Sequence, residues 1–222
     1  DPSTVVSKSR SQIPFVGVPV SKVAFPQDIA SKIDSMAVGT TPVFESKADN
    51  TLNIIKLISK ASLADSIQYQ QIQVAANSVD ESRAKADSIV KALDGGAKIE
   101  DIAKKYGQDG TKIWFTGQMY ERSTTMNEDS RKLIDALLNG EVGKVQNLAF
   151  DQGNVIIKID DKKGFKDKYT AAVIKKVIDF SKNTRSAAYN RFSEFVSKST
   201  TLDALQKNAR KYGYTVQEQN DI

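Results

Sequence analysis

Histidine and cysteine are both absent from this chain of 222 residues. Without histidine the usual general base near neutral pH is missing, a Ser-His-Asp triad is impossible, and no metal site can be built on imidazole. Without cysteine there are no disulfides and no thiolate metal sites, although that absence does not fix the compartment. No cofactor is expected. No apolar run approaches the ~20 residues that a membrane-crossing helix needs. The start, Asp1-Pro2-Ser3-Thr4, is polar and lacks a basic region ahead of an apolar one, so a mature chain or a soluble piece of a longer one is expected. Residues 1–12 are polar and Ser-rich and read as a linker or frayed terminus.

What is present suits a globular protein. The chain is 40% hydrophobic and 27% charged, enough for one large core or two small ones. The net charge of +5 is spread out. Its densest cluster, Lys162, Lys163, Lys166 and Lys168, is interleaved with Asp160, Asp161 and Asp167. That reads as a solvated hinge before the tail. Arginine and aromatics are not interleaved on a basic face, so no nucleic-acid partner is expected.

Periodicity supplies the elements. Ile13 to Phe25 reads as extended, punctuated by Pro14 and Pro19. Asp28 to Met36 carries Ile29, Ile33 and Met36 on one helical face. Leu52 to Ile58 and Ile67 to Val74 read as strands, joined by a polar connection over Lys60 to Asp65. Ser78-Val79-Asp80-Glu81 is a capping box opening a helix that runs to about Leu93 and stops at Gly95-Gly96. A short helix follows over Ile99 to Tyr106, then a short strand Ile113-Trp114-Phe115, then a helix from Glu128 to Leu138. Val145–Phe150 and Val155–Ile159 flank a turn, Asp151-Gln152-Gly153-Asn154, and read as a hairpin. Tyr169 to Ile178 fits a strand or a short helix. Helices over Asn183–Val196 and Leu202–Tyr212 close the chain, the second between Thr201 as N-cap and Gly213 as C-cap. An internal echo also runs through the chain. Ile33-Asp34, Gly39 and Ile54-Ile55-Lys56 are matched by Ile134-Asp135, Gly140 and Ile156-Ile157-Lys158 at nearly equal spacing.

Several stretches resemble the parvulin family of peptidyl-prolyl isomerases. They are Gly95-Gly96-Ala97 with Ile99, Ile102, Ala103 and Tyr106; Trp114-Phe115; Gly117-Gln118-Met119; Leu137 with Gly140-Glu141-Val142; and Gly153 with Ile156-Ile157-Lys158-Ile159. Their order and spacing, over about Ile67 to Asp160, carry the resemblance. The tail, Ala171 to Thr184, is similar to the segment after the parvulin domain in SurA- and PpiD-like periplasmic folding factors. The resemblance implies an α+β fold, a small antiparallel four-stranded sheet covered by helices. It divides the chain into a parvulin-like domain at 66–162, an N-terminal segment at 1–62 that resembles the second half of such a unit, and a mainly helical segment at 163–222.

The departures bear on function. The family places one histidine in its first strand, where this chain has Gln71, and a second in its last, where this chain has Val155. Tyr120-Glu121-Arg122 stands where a Phe is expected after Met119. Met119, Trp114, Phe115, Gln71 and Val155 are therefore the candidate peptide-binding residues, with plain packing as the alternative for each; no catalytic residue is assigned. The resemblance implies a non-catalytic or weakly catalytic module of an extracytoplasmic folding factor in the periplasm or cell envelope. It would bind unfolded, proline-containing or outer-membrane client polypeptides, with a membrane anchor elsewhere in the full-length protein and a homodimer as options. A weak prolyl isomerase and a structural spacer or dimerisation module are the alternatives.

Overall fold

A computed structural model describes residues 1–217. The chain falls into two compact units, Asp1–Lys176 and Val177 onward. Among the described residues no helix is long and apolar enough to cross a membrane, and no group of acidic residues is placed to hold a metal ion.

The first unit contains two four-stranded sheets. One is built from β4 (Ser66–Val74), β5 (Ile113–Thr116), β6 (Val145–Phe150) and β7 (Gly153–Lys163), in the order β5-β4-β7-β6 with antiparallel pairing throughout. This is the small sheet that the resemblance implies. Alternation splits each strand between two faces. On one face Ile72, Val74 and Ile156 pack under α3 (Val79–Asp94) and α4 (Ile99–Lys105) through Ala86, Ile89, Leu93 and Ile102. On the other, Ile67, Tyr69, Val155, Ile157 and Ile159 pack with Ile134, Leu137 and Leu138 of α5 (Glu128–Asn139). Strand β7 is covered on both sides, and its near-continuous run Val155-Ile156-Ile157 reflects that. Half of the capping box forms: Ser78 Oγ accepts the Glu81 amide at 3.2 Å, while the Glu81 carboxylate accepts the amide of Asn77, one residue before the cap, at 3.3 Å.

The second sheet draws together the two flanks of the chain. Its strands are β1 (Val20–Ser21), β2 (Val43–Ser46), β3 (Thr51–Leu63) and β8 (Lys166–Val177), in the order β1-β8-β3-β2. Helix α2 (Gln27–Ile33) packs Ile29 against Ile55 and Val173, and Ile33 against Leu57 and Tyr169. The echo has a structural counterpart. In each half a helix (α2, α5) precedes an antiparallel hairpin (β2–β3, β6–β7) whose second strand carries the Ile-Ile-Lys run.

Four sequence expectations change here. Residues 1–12 are not frayed: α1 (Pro2–Ser9) forms with Asp1 as N-cap and Pro2 in its first turn. The polar connection over Lys60–Asp65 shrinks to a corner, because β3 extends to Leu63 and β4 begins at Ser66. Tyr169–Val177 resolves as strand, within β8, and Ile178 lies past its end. The Lys162–Lys168 stretch is no hinge: its ends belong to β7 and β8, only Gly164-Phe165 turn between them, and Lys168 is fully buried. The boundaries expected at 62–66 and 162–163 each lie near a strand-to-strand corner inside the first unit.

The second unit is a helix pair, α6 (Lys182–Ser197) and α7 (Leu202–Tyr212), capped by Ser181 and Thr201. Phe192, Phe195, Tyr212 and Tyr214 form its aromatic cluster.

Candidate functional site

The α5 face of the β5-β4-β7-β6 sheet ends in an open groove of about 680 Å³ between β5, the loop after it and α5. Phe115, Met119, Tyr120, Met126 and Leu133 supply its apolar wall. Phe115 reaches it because it shares a sheet face with its cross-strand partner Ile67, and its ring stacks on Tyr120 with centroids 5.3 Å apart. Met119 closes a single 3-10 turn, Gly117–Met119, and is 64% exposed at the rim. The groove thus unites two of the five candidate residues.

The other three sit elsewhere. Trp114 alternates to the opposite face from Phe115, opposite Gln68; it is 41% exposed and has the Lys163 ammonium 5.0 Å from its ring centroid. Gln71 and Val155 lie on the groove's face of adjacent strands, Gln71 opposite Ile157 and Val155 opposite Gln73. Val155 is 9% exposed and belongs to the core. Gln71 borders a separate hollow with Gln108 and Ile113. Its neighbour Gln70 is the buried, bonded glutamine, donating to Glu100 at 2.7 Å and to the Gly110 carbonyl at 2.6 Å.

Behind the groove lies a charge cluster that the sequence did not single out. The Lys168 ammonium donates to Glu121 at 2.5 Å, Asp65 at 2.9 Å and the Tyr120 hydroxyl at 3.1 Å. Burial alone would push Lys168 down, but Glu121, Asp65 and Tyr120 together hold it above the ordinary lysine value. Burial opposes ionisation of Glu121 as well; bonds from Lys168 and Ser21 outweigh it and keep the carboxyl below its usual range. Asp65 is likewise lowered, against burial, by Lys166 and Lys168. The cluster clamps the groove loop (Tyr120, Glu121) to the corner before β4 (Asp65) and to β8.

Gly117 explains why the loop can approach so closely. A Cβ at this position would lie 2.2 Å from Asp65 Oδ1, 3.0 Å from Glu121 Oε1 and 3.1 Å from Lys168 Nζ. Gly117→Ala should therefore displace the cluster and cost about 1–3 kcal/mol, as overpacking typically does. A urea midpoint lowered with an unchanged m-value would register it.

Tyr120, Glu121, Met126 and Leu133 were not among the sequence candidates. The one available signal was that Tyr120-Glu121 replaces the expected Phe. Tyr120 fills the aromatic place while its hydroxyl serves the charge cluster.

No curated protein matches the chain. Among solved structures, a peptidylprolyl isomerase (PrsA) from Bacillus anthracis is similar at 18% identity and a TM-score of 0.35, covering 71% of this chain and 63% of that one. The chain thus spans less than two thirds of that protein. Residues 52–163, from the start of β3 to the end of β7, match the model of the PPIC-type PPIASE domain. With half its length matched and the sheet order in place, the chain belongs to the PPIC-type, or parvulin, family of peptidyl-prolyl isomerase domains.

Proposed function

We propose that this chain is a parvulin-type folding module that holds extended polypeptide in the groove at Phe115, Met119, Met126 and Leu133 and does little or no prolyl isomerisation. The observation that carries the reading is the chemistry at the family's two histidine positions. Gln71 and Val155 share one face of adjacent strands, yet Val155 offers no polar side-chain atom and is packed into the core. Isomerisation must lower a barrier of about 18–20 kcal/mol to rotation of a partial double bond. Removing polar groups from a preorganised site typically costs orders of magnitude in rate. Binding of apolar side chains needs only the groove. By the same family resemblance, the clients are unfolded or outer-membrane polypeptides and the module works in the cell envelope.

A proline-limited refolding assay, with an active parvulin as positive control, tests the catalytic part. No acceleration is expected. Acceleration that disappears in Met119→Ala would overturn the non-catalytic reading. Binding of a reduced, carboxymethylated client protein tests the holding part. It should weaken several-fold in Leu133→Ser, and a client indifferent to Leu133 and Met126 substitutions would count against this groove.

A further inference from the structure

The chain already holds an extended segment against the same face. Phe15-Val16-Gly17-Val18-Pro19-Val20-Ser21 runs from α1 toward β1. Val18, 3% exposed, and Val20 are buried in the apolar cluster that contains Val155, Ile157, Tyr120 and Ile134, with Val16 packed at its edge. All three side chains meet that cluster, although the chain bends at Val18, Gly17 has a left-handed φ, and regular strand begins only at Val20. Up to Pro19 the backbone of this segment is held by side chains. Arg131 Nε donates to the Val16 carbonyl at 2.9 Å, and the Tyr120 hydroxyl donates to the Pro19 carbonyl at 2.8 Å. Glu121 accepts the Ser21 amide at 3.0 Å and its hydroxyl at 2.5 Å. Three residues of the groove loop and α5 thus read main-chain groups spread over six residues. Gly17 passes closest to Arg131: a Cβ there would lie 3.3 Å from Arg131 Nε, and its φ of +80° disfavours a side chain in any case.

We propose that Val16–Ser21 is an internal ligand of this cleft, and that clients with apolar residues at alternate positions of an extended, proline-bearing segment exchange with it. The inference rests on the polypeptide-holding reading and names its substrate class. Backbone contacts from Arg131, Tyr120 and Glu121 are indifferent to client sequence, while the sockets of Val16, Val18 and Val20 select branched or apolar side chains. Tyr120 and Ile134 line both the open groove and the segment's seat, so the groove is the part of the cleft that the segment leaves uncovered.

The test uses the whole chain, a variant carrying Val18→Ser with Val20→Ser, and a synthetic peptide of residues 13–22 with a scrambled control. Freeing a site that an internal competitor fills about nine-tenths of the time makes an external ligand bind about ten-fold tighter. The peptide should bind the variant about ten-fold tighter than the parent. Hydrogen exchange should show it protecting residues 120–134. Val16→Ser alone, at the edge of the apolar cluster, weakens only the segment's own hold on the cleft; it should give a smaller gain and serves if the double variant does not fold. Equal peptide binding to parent and folded variants, or binding no better than the scrambled control, would overturn the proposal. Should the peptide bind the opened variant while the carboxymethylated client binds neither protein, the internal ligand stands and the holding function fails. Should the client bind all forms equally and ignore the peptide, the holding function stands and the internal ligand falls.

Discussion

Lys168→Met is expected to destabilise the first unit by about 3–5 kcal/mol, the usual cost of leaving buried partner charges uncompensated. The ammonium is completely enclosed, Glu121 is nearly so, and Asp65 is about a quarter exposed, so Glu121 bears most of the loss. The pH dependence distinguishes this account from simple loss of packing. In the parent, Glu121 and Asp65 titrate below their unfolded values, so their contribution is present above the ordinary carboxylate range and drains away as pH falls through the depressed values. Lys168 titrates above its unfolded value, so its contribution is complete below the ordinary lysine value and is lost only as pH rises through the raised one. From these groups the parent should show a flat plateau around neutrality and a falling acid limb. Without Lys168, burial acts on Glu121 with much less opposition and its folded-state pKa rises above the unfolded one. The sign then reverses, and Lys168→Met should gain stability relative to the parent as pH drops from 7 toward 4. Lys168→Met combined with Glu121→Gln should recover part of the loss at pH 7. Chemical denaturation at several pH values measures all three, and an acid limb unchanged in Lys168→Met would refute the assignment.

The legible parts of this fold were those set by local pattern. Strand β7 announces itself by its β-branched run, β6 by the turn that joins it to β7, β4 by imperfect alternation and α3 by Ser78 at its N-terminus, because neighbours in sequence decide each. The four-stranded sheet and the groove's Phe115 and Met119 followed from the order of short motifs. What stayed hidden depends on distant partners. Lys168 reads as one lysine of a solvated cluster, and only the fold brings it to Glu121 and Asp65, 47 and 103 residues away. Ile13–Phe25 reads as extended, yet only Val20–Ser21 are regular strand and Lys22–Ala24 form a 3-10 turn; the seat of residues 16–21 in the cleft depends on Tyr120 and Arg131, more than a hundred residues on. The match to the family's Trp-Phe pair puts Trp114 beside Phe115 as a candidate, although adjacent strand residues face opposite ways. Helix α1 has too few apolar residues for periodicity to find, and its signal was the Asp1-Pro2 cap.

The Ile-Ile-Lys echo supplies the second large effect. Ile157 and Ile55 are each fully buried, one against α5 in the parvulin-type sheet, the other against Ile29 of α2 and Val173 of β8 in the second sheet. Truncating either to alanine removes comparable apolar volume from a closed site and should cost about 2–5 kcal/mol. The two sheets are joined by the corners at Ala64-Asp65 and Gly164-Phe165 and by the Lys168 cluster, which ties β8 to the groove loop. If those joints make residues 1–176 one cooperative body, both substitutions should lower a single transition, seen alike by Trp114 fluorescence and by far-UV circular dichroism. An Ile55→Ala variant in which Trp114 keeps the parental transition while part of the secondary structure melts early would instead show that the second sheet unfolds alone. The valine segment begins its ladder on β8 through Val20 and Ser21, so its seat in the cleft depends on the same coupling. In the cooperative case Ile55→Ala, distant from the groove, should also raise hydrogen exchange in residues 16–21, because loosening β8 loosens the anchor of the internal ligand.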